Sequence, residues 1–408
     1  MKIRKILIIV PFVLLVLALA MGSVLLWRIF VLAVLTLLLG YLWMRLSIRG
    51  IGGRVNKSIE SCQAGDYFDE EITITNSSRL PAPLMKVEEE TNLPGHHNTV
   101  ALGLASLGSH KWRTSVYCPR RGRYHLGVLN ASISDPFGFF SLNRRFGEQQ
   151  EITVYPETVE LPFFQPLTGT EARNRYQRWS VTGTAPEVAR VREYVGGDSL
   201  NRIHWHSTAH TGQLMVKVFD PERPRHIPQN KNVWVILNMQ QASQLGEGEE
   251  NTAEYSIILA ASLAKKYLEG GKPVGLMAEG DRPYLFLQGT GEQHLGSIME
   301  ALALMKATGS VPLDRLIIRE IDRLEASSAA IVITPAASEG LTAALRPVIS
   351  RGTNVIAMLL DPPSFGGGVS SFKTASALAT IGAQVYVIRR GLEIKRVSHS
   401  RKPFPEKG

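Results

Sequence analysis

The 408-residue sequence predicts a multidomain chain: an N-terminal transmembrane helical hairpin, a β-sandwich domain and a C-terminal doubly wound α/β domain. Three observations predict it. Residues 6–44 are almost uninterruptedly apolar, residues 60–156 break into short alternating segments, and from Lys231 onward apolar runs alternate with amphipathic stretches.

A bilayer core takes about 20 apolar residues per helix, so the first run accommodates two helices, Ile6 to Met21 and Val24 to Met44. The turn falls at Gly22-Ser23, with Arg28 snorkelling, or at Trp27-Arg28. Lys2, Arg4 and Lys5 precede the pair, while Arg45, Arg49, Arg54 and Lys57 follow it, so both ends are expected in the cytosol. A multi-pass cell-membrane protein with cytoplasmic soluble domains is the expectation. The competing reading is a signal peptide over Lys2 to Ala20, with Ala18-Leu19-Ala20 as its cleavage site; the second run would still stop transfer.

Charge follows the same division. Residues 1–57 carry eight lysines and arginines and no acid, which leaves +1 of the formal +9 for everything else. The basic balance therefore reports membrane flanks and gives no support to nucleic-acid binding. Cys62 and Cys118 are the only cysteines, too few for a disulfide framework, and are expected as reduced core residues.

The β domain is expected over residues 52–157. Tyr67 to Thr75 reads as extended, Asn76-Ser77-Ser78 as a turn, and Leu84 to Glu90 alternates Met85 and Val87 against Lys86 and Glu88. Lys111 to Tyr117, Gly122 to Leu129 and Ile152 to Tyr155 follow. This spacing favours an immunoglobulin-like or fibronectin-like antiparallel sandwich.

Residues 158–230 form a connector and a signature segment. Arg173, Arg175, Tyr176, Arg178 and Trp179 make a basic, aromatic patch suited to lying over the surface or docking a partner. Between Val191 and Asp220, Gly196-Gly197 supplies a reversal, Asp198 a helix N-cap and Gly212 a helix end. Leu214, Val216 and Val218 then alternate with Met215 and Lys217 as a strand. Arg192, Glu193, Arg202, His204 and Asp220 are placed to form an ion-pair network or a ligand site. His204, His206 and His210 do not make a metal triad, because His204 and His206 point about 200° apart on a helix.

The run Arg192-Glu193-Tyr194, Gly197-Asp198, Arg202, Ile203, Trp205 and Thr211-Gly212 resembles the signature of the bacterial family known as domain of unknown function 58. Arg120-Arg121-Gly122-Arg123-Tyr124 and Asp135-Pro136-Phe137-Gly138-Phe139 resemble two further family runs, with a solvated turn as the first reading and a binding loop as the alternative. The chain departs from the family at His204, His206 and His210, where Asp, Lys and Arg are usual.

Residues 231–395 read as strands Val233 to Leu237, Val274 to Met277, Tyr284 to Leu287, Ala330 to Thr334, Asn354 to Leu359 and Gln384 to Ile388, with helices between, and residues 396–408 as a tail. The expected sheet has buried parallel strands and binds ligands at its carboxyl end. The resemblance implies a von Willebrand factor type A-like domain, a fold that holds a divalent cation through a D-x-S-x-S loop after its first strand. Here that loop reads Asn238-Met239-Gln240-Gln241-Ala242, so Asn238, Gln240 and Ala242 are a vestigial cation loop. Without a carboxylate the loop is expected to hold no metal. Thr334-Pro335-Ala336 offers no acid either, and Asp361 reads as a turn residue.

No phosphate-binding loop, dinucleotide fingerprint or nucleophile elbow stands in a strand-to-helix context. The expected function is a membrane-anchored, non-enzymatic adaptor without a cofactor, with Arg192, Glu193, Tyr194, Gly197, Asp198, Arg202 and Trp205 as the interaction motif. The resemblance implies a MoxR-type AAA+ ATPase and a transglutaminase-like membrane protein as partners, in assembly or cell-envelope maintenance. The alternative is a metal-dependent hydrolase using His204, His206, His210 or the cation loop.

Overall fold

A computed structural model gives the fold and describes residues 2–3, 6–134, 140–161, 190–193, 208–209, 212–218, 232–248, 250–326, 328–335 and 338–391. A two-residue strand β1 (Lys2–Ile3) precedes helices α1 (Ile6–Met21) and α2 (Val24–Arg49), which turn at Gly22 with φ 60°. Among the described residues, α2 is the one helix long and apolar enough to cross a membrane. Helix α1 has 16 residues, about 24 Å at 1.5 Å per residue, short of a hydrocarbon core of about 30 Å.

Helix α2 runs five residues past its expected end at Met44. The reason is burial. Met44, Ser47 and Ile48 leave the apolar surface and enter the core of the domain that follows. Trp43 Nε1 and Ser47 Oγ both donate to the Pro81 carbonyl, and Arg144 donates to the carbonyls of Ile48 and Arg49 at the helix C-terminus.

That domain contains β2 (Ile51–Lys57), β3 (Ser61–Gln63), β4 (Tyr67–Asn76), β5 (Ala82–Glu90), β6 (Thr99–Leu104), β7 (Ser109–Tyr117), β8 (Gly122–Leu126), β9 (Val128–Ser134), β10 (Phe140–Phe146) and β11 (Gln150–Tyr155). One sheet is ordered β1-β10-β9-β5-β6, a second β2-β4-β7, and a smaller third β3-β11-β8. Ile51, Ile72 and Ile74 of the second sheet share a core with Met85, Val87, Leu129 and Ile133 of the first, which makes a sandwich. A second apolar cluster holds Phe68, Leu93, Val116, Leu126, Ile152 and Val154. Cys62 and Cys118 lie in it, buried, with sulfurs 2.6 Å apart.

The expected strand Gly122 to Leu129 is broken. Gly127 takes φ 94°, and there the chain leaves the β3-β11-β8 sheet and joins β5 and β10. A Cβ at Gly127 would stand 2.6 Å from the Glu148 carbonyl oxygen, so the crossover is built for glycine.

Strands β12 (Arg190–Glu193) and β13 (Met215–Val218) pair antiparallel, apart from the main C-terminal sheet. The latter comprises β14 (Asn232–Leu237), β15 (Val274–Glu279), β16 (Pro283–Gly289), β17 (Ser328–Thr334), β18 (Asn354–Leu360) and β19 (Gln384–Ile388), in the order β16-β15-β14-β17-β18-β19. All neighbours are parallel except β15 and β16, so the expectation of parallel strands is corrected at one edge. A turn of three residues between β15 and β16 is too short for a parallel crossover.

Helices α3 (Thr252–Glu269) and α4 (Glu292–Leu304) cover one face, and α5 (Leu313–Arg319), α6 (Glu339–Ser350) and α7 (Phe372–Thr380) the other. The strands read as continuous apolar runs because both faces are covered: Val233, Val235 and Leu237 pack on the α3 side, Trp234 and Ile236 on the other. Gly275 is the neighbour of Trp234 in register, and a Cβ there would fall 2.4 Å from the indole ring.

Candidate functional site

The loop Asn238 to Ala242, expected as a vestigial cation loop, leaves the carboxyl end of β14, the central strand. Asn238 is buried, its Nδ2 donates to Thr334 Oγ1 at 3.0 Å, and its Oδ1 accepts from the Gln240 backbone at 3.1 Å. Gln240 Oε1 accepts from Ser243 Oγ, while Gln244 Nε2 donates to the carbonyls of Asn238 and Gln240. Ala242 is exposed and offers only a methyl group. These are neutral amide and hydroxyl bonds that close the loop on itself. The nearby Asp361 is committed elsewhere: its Oδ1 accepts from Ser370 Oγ and from the Ser371 amide and hydroxyl, and Arg389 faces its Oδ2.

Of the signature motif, Arg192 and Glu193 lie on β12, in register with Val216 and Met215. Tyr194, Gly197, Asp198, Arg202 and Trp205 lie outside the described residues, as do His204, His206, His210, Asp220, the Arg173 to Trp179 patch and Asp135 to Phe139. Gly212 ends the short helical turn at Thr208 and Ala209 with φ 71°, its amide bonded to the Thr208 carbonyl.

Two arrangements carry more chemistry. The first is the contact between the sandwich and the α/β domain, and it corrects the reading of Arg121 as part of a solvated turn. The Arg121 side chain is 11% exposed. Its Nε donates to the Leu302 carbonyl at 3.1 Å, its Nη2 to the Met305 carbonyl at 2.9 Å, and Glu254 of α3 pairs with Nη1. Leu302 and Met305 close the last turn of α4, where unpaired carbonyls and the negative end of the helix dipole favour a cation. Burial pulls the Arg121 guanidinium down to about 10, still cationic at neutral pH.

The turn that aims Arg121 is set by its neighbours. Gly122 adopts φ 147°, and the Tyr124 hydroxyl donates to the Arg120 carbonyl at 3.0 Å. Arg123 Nη2 adds a bond of 2.7 Å to Glu300 of α4. After β11, Leu161 enters the α/β core and the Val159 amide donates to Ser262 of α3.

The second arrangement is a polar inclusion between the two apolar clusters of the sandwich. On β4 the inward row is Phe68, Glu70, Ile72, Ile74 and Asn76; on β5 it is Met85, Val87 and Glu89. Both glutamate side chains are 0% exposed, and the turn after β5 folds the His96 ring, 7% exposed, between them. His96 Nε2 stands 3.1 Å from Glu89 Oε2 and 3.5 Å from Glu70 Oε1. Asn98 Nδ2 donates to Glu70 Oε1, and the Gly127 amide to Glu89 Oε1, each at 2.9 Å. Glu70 Oε2 has no hydrogen-bond partner.

Burial raises the Glu70 carboxyl above the usual carboxylate range, and Glu89 adds to the rise. Burial works against the His96 cation, but the two carboxylates outweigh it and carry the imidazole up to about 9. Neither glutamate stands in any recognisable motif. The legible signal was alternation: each occupies the inward position of an otherwise apolar row.

The comparisons follow this division of the chain. Residues 190–364 match the protein-family model described as Protein of unknown function DUF58. The match includes Arg192, the signature segment and the loop Asn238 to Ala242; Arg121 and the Glu70 cluster precede it. A curated relative, the uncharacterized protein YeaD of Bacillus subtilis (strain 168), is 24% identical over 277 residues, covering 64% of this chain and 64% of its own length. Among solved structures, the CARDB domain of the PF1109 protein from Pyrococcus furiosus shares 15% identity and covers 26% of this chain and 94% of its own, with a TM-score of 0.21. The C-terminal domain of wzt shares 9% and covers 26% and 73%, also at 0.21. The sandwich assignment rests on its own sheets.

Proposed function

We propose that this protein is a membrane-anchored adaptor whose sandwich holds a von Willebrand factor type A-like domain at a fixed height and angle above the bilayer. The observation that carries this reading is a continuous packed path. Met44 and Ile48 at the end of α2 enter the sandwich core, and Arg121 of the sandwich caps α4 of the α/β domain. A loose tether needs neither contact.

The strand order supports the type A-like reading. In chain order the six strands lie 3-2-1-4-5-6, with the third antiparallel at the edge. The cation loop then lies at the carboxyl end of the central strand with only neutral groups, a surface suited to binding protein. Two membrane passes are supported by α1 folding back on α2 and by β1, which pairs with β10 and so brings the chain start to the sandwich side. The basic flanks favour the cytosol for that side.

The family resemblance supplies the partners, a MoxR-type AAA+ ATPase and a transglutaminase-like membrane protein, and the process, assembly or cell-envelope maintenance. The test is co-purification of the detergent-solubilised chain with that ATPase in ATP and in a non-hydrolysable analogue. Retention of the ATPase in either nucleotide state supports the adaptor; its absence in both overturns this partnership.

A further inference from the structure

We propose that Glu70, Glu89 and His96 bind a divalent transition-metal ion of the zinc or manganese class, which clamps the two sheets of the sandwich together. Glu70 belongs to the β2-β4-β7 sheet and Glu89 to the opposing one, while His96 comes from the turn that follows β5. One ligand atom from each lies within 4.8 Å of the others.

Spacing supports coordination. Metal bonds of about 2.1 Å put adjacent ligand atoms about 3.0 Å apart at right angles and about 3.4 Å apart at the tetrahedral angle. The observed separations from His96 Nε2 are 3.1 Å and 3.5 Å. Hydrogen bonding alone satisfies the same atoms poorly, because Nε2 carries one proton and faces two carboxylates. Glu70 Oε2, fully buried, has no hydrogen-bond partner. An unpaired buried carboxylate oxygen is costly, and a divalent ion would engage it as a fourth donor.

Charge closes as well: two carboxylates and a neutral imidazole balance a dication. The outer groups are already in place, with Asn98 Nδ2 on Glu70 and the Gly127 amide on Glu89, the kind of support that orients ligands before the ion arrives. Mixed imidazole and carboxylate donors select zinc or manganese over magnesium and calcium, which prefer oxygen alone. The enclosed ligand atoms suit a structural ion rather than one that exposes a position to substrate.

The test uses the full chain in detergent, purified with a tag that lacks histidine, stripped by chelator and titrated with Zn²⁺ and Mn²⁺ separately by calorimetry. One saturable site per chain and a rise in melting temperature with metal are expected. His96→Gln and the near-isosteric Glu70→Gln should abolish both, while Asn98→Ala should weaken binding about 10-fold to 100-fold. Replacing His204, His206 and His210 together should leave the site intact. The proposal is overturned if the stripped wild-type chain shows no saturable binding of either ion. It is equally overturned if Glu70→Gln, verified as folded by circular dichroism, binds like the wild type.

Discussion

The Arg121 guanidinium stands 2.9 Å from the carbonyl oxygen of Met305, the residue that caps α4. A side chain of one domain thus completes the end of a helix in another. Replacing Arg121 with Ala leaves the Leu302 and Met305 carbonyls without this donor and the Glu254 carboxylate without its ion-pair partner, which should cost roughly 2–4 kcal/mol. Chemical denaturation should read it as an earlier loss of the interdomain contact, and limited proteolysis as faster cleavage near residues 156–161. Arg121→Lys should recover only part, because an ammonium cannot reproduce the planar fork.

Gly122 and Tyr124 aim that guanidinium, so each should act through Arg121. Gly122→Ala places a side chain at φ 147°, at a cost of about 1–3 kcal/mol. Tyr124→Phe removes the hydroxyl shared between the Arg120 and Arg121 carbonyls, worth about 1 kcal/mol. A double-mutant cycle with Arg121→Ala should show coupling for both; additive losses would mean that the turn and the cap are independent.

The His96 cluster predicts a pH dependence for the metal-free protein. The folded imidazole sits at about 9 against 6.5 for the free group, so between those values the native state holds a proton that the unfolded chain has lost. This stabilisation is complete below 6.5 and disappears as pH rises through 9, a change on the order of 3 kcal/mol. The raised Glu70 pKa acts in the same sense, since the native carboxyl also keeps its proton longer. Urea midpoints from pH 6 to 10 should fall for the wild type and much less for His96→Gln.

Gly275→Ala tests the central strands. Its Cβ would fall 2.4 Å from the Trp234 ring, which is itself tied through Nε1 to the Arg323 carbonyl at 3.1 Å. Overpacking of this kind costs about 1–3 kcal/mol, and thermal unfolding of the α/β domain should report it.

Asn238→Asp should not create a magnesium site. The change removes the Nδ2 donor to Thr334 and buries a charge, while Gln240 and Ala242 still supply no carboxylate or serine hydroxyl. A stability loss of about 1–3 kcal/mol without saturable Mg²⁺ binding is expected. Tight Mg²⁺ binding by this single variant would argue for the hydrolase reading.

Much of the architecture was legible because it is periodic. Val233 to Leu237 is apolar at every position, and the strand is covered on both faces. Met85, Val87 and Glu89 alternate, and all three point inward. The boundaries were less legible where tertiary burial overrides local pattern. Met44 to Arg49 reads as a membrane flank, yet α2 continues there because the sandwich core accepts Met44 and Ile48. The split at Gly127 is also non-local, since the residues on either side pair with different sheets.

The site residues divide in the same way. Asn238, Gln240 and Ala242 could be placed from sequence because a loop after a central strand has a defined position and composition. Arg121 could be noticed in its motif, but its partners Leu302 and Met305 lie about 180 residues away, beyond the reach of spacing.

By itself, the sequence determined the apolar N-terminal run, the alternating β region, the α/β succession and the carboxylate-free loop Asn238 to Ala242, because each is written in short-range periodicity or in the chemistry of a few consecutive residues. Only the tertiary structure decided that Arg121 caps a helix of another domain and that Glu70, Glu89 and His96 share one buried pocket. Those relationships depend on segments distant in the chain being brought together, and on the low dielectric interior that makes an unpaired oxygen or a shared proton matter.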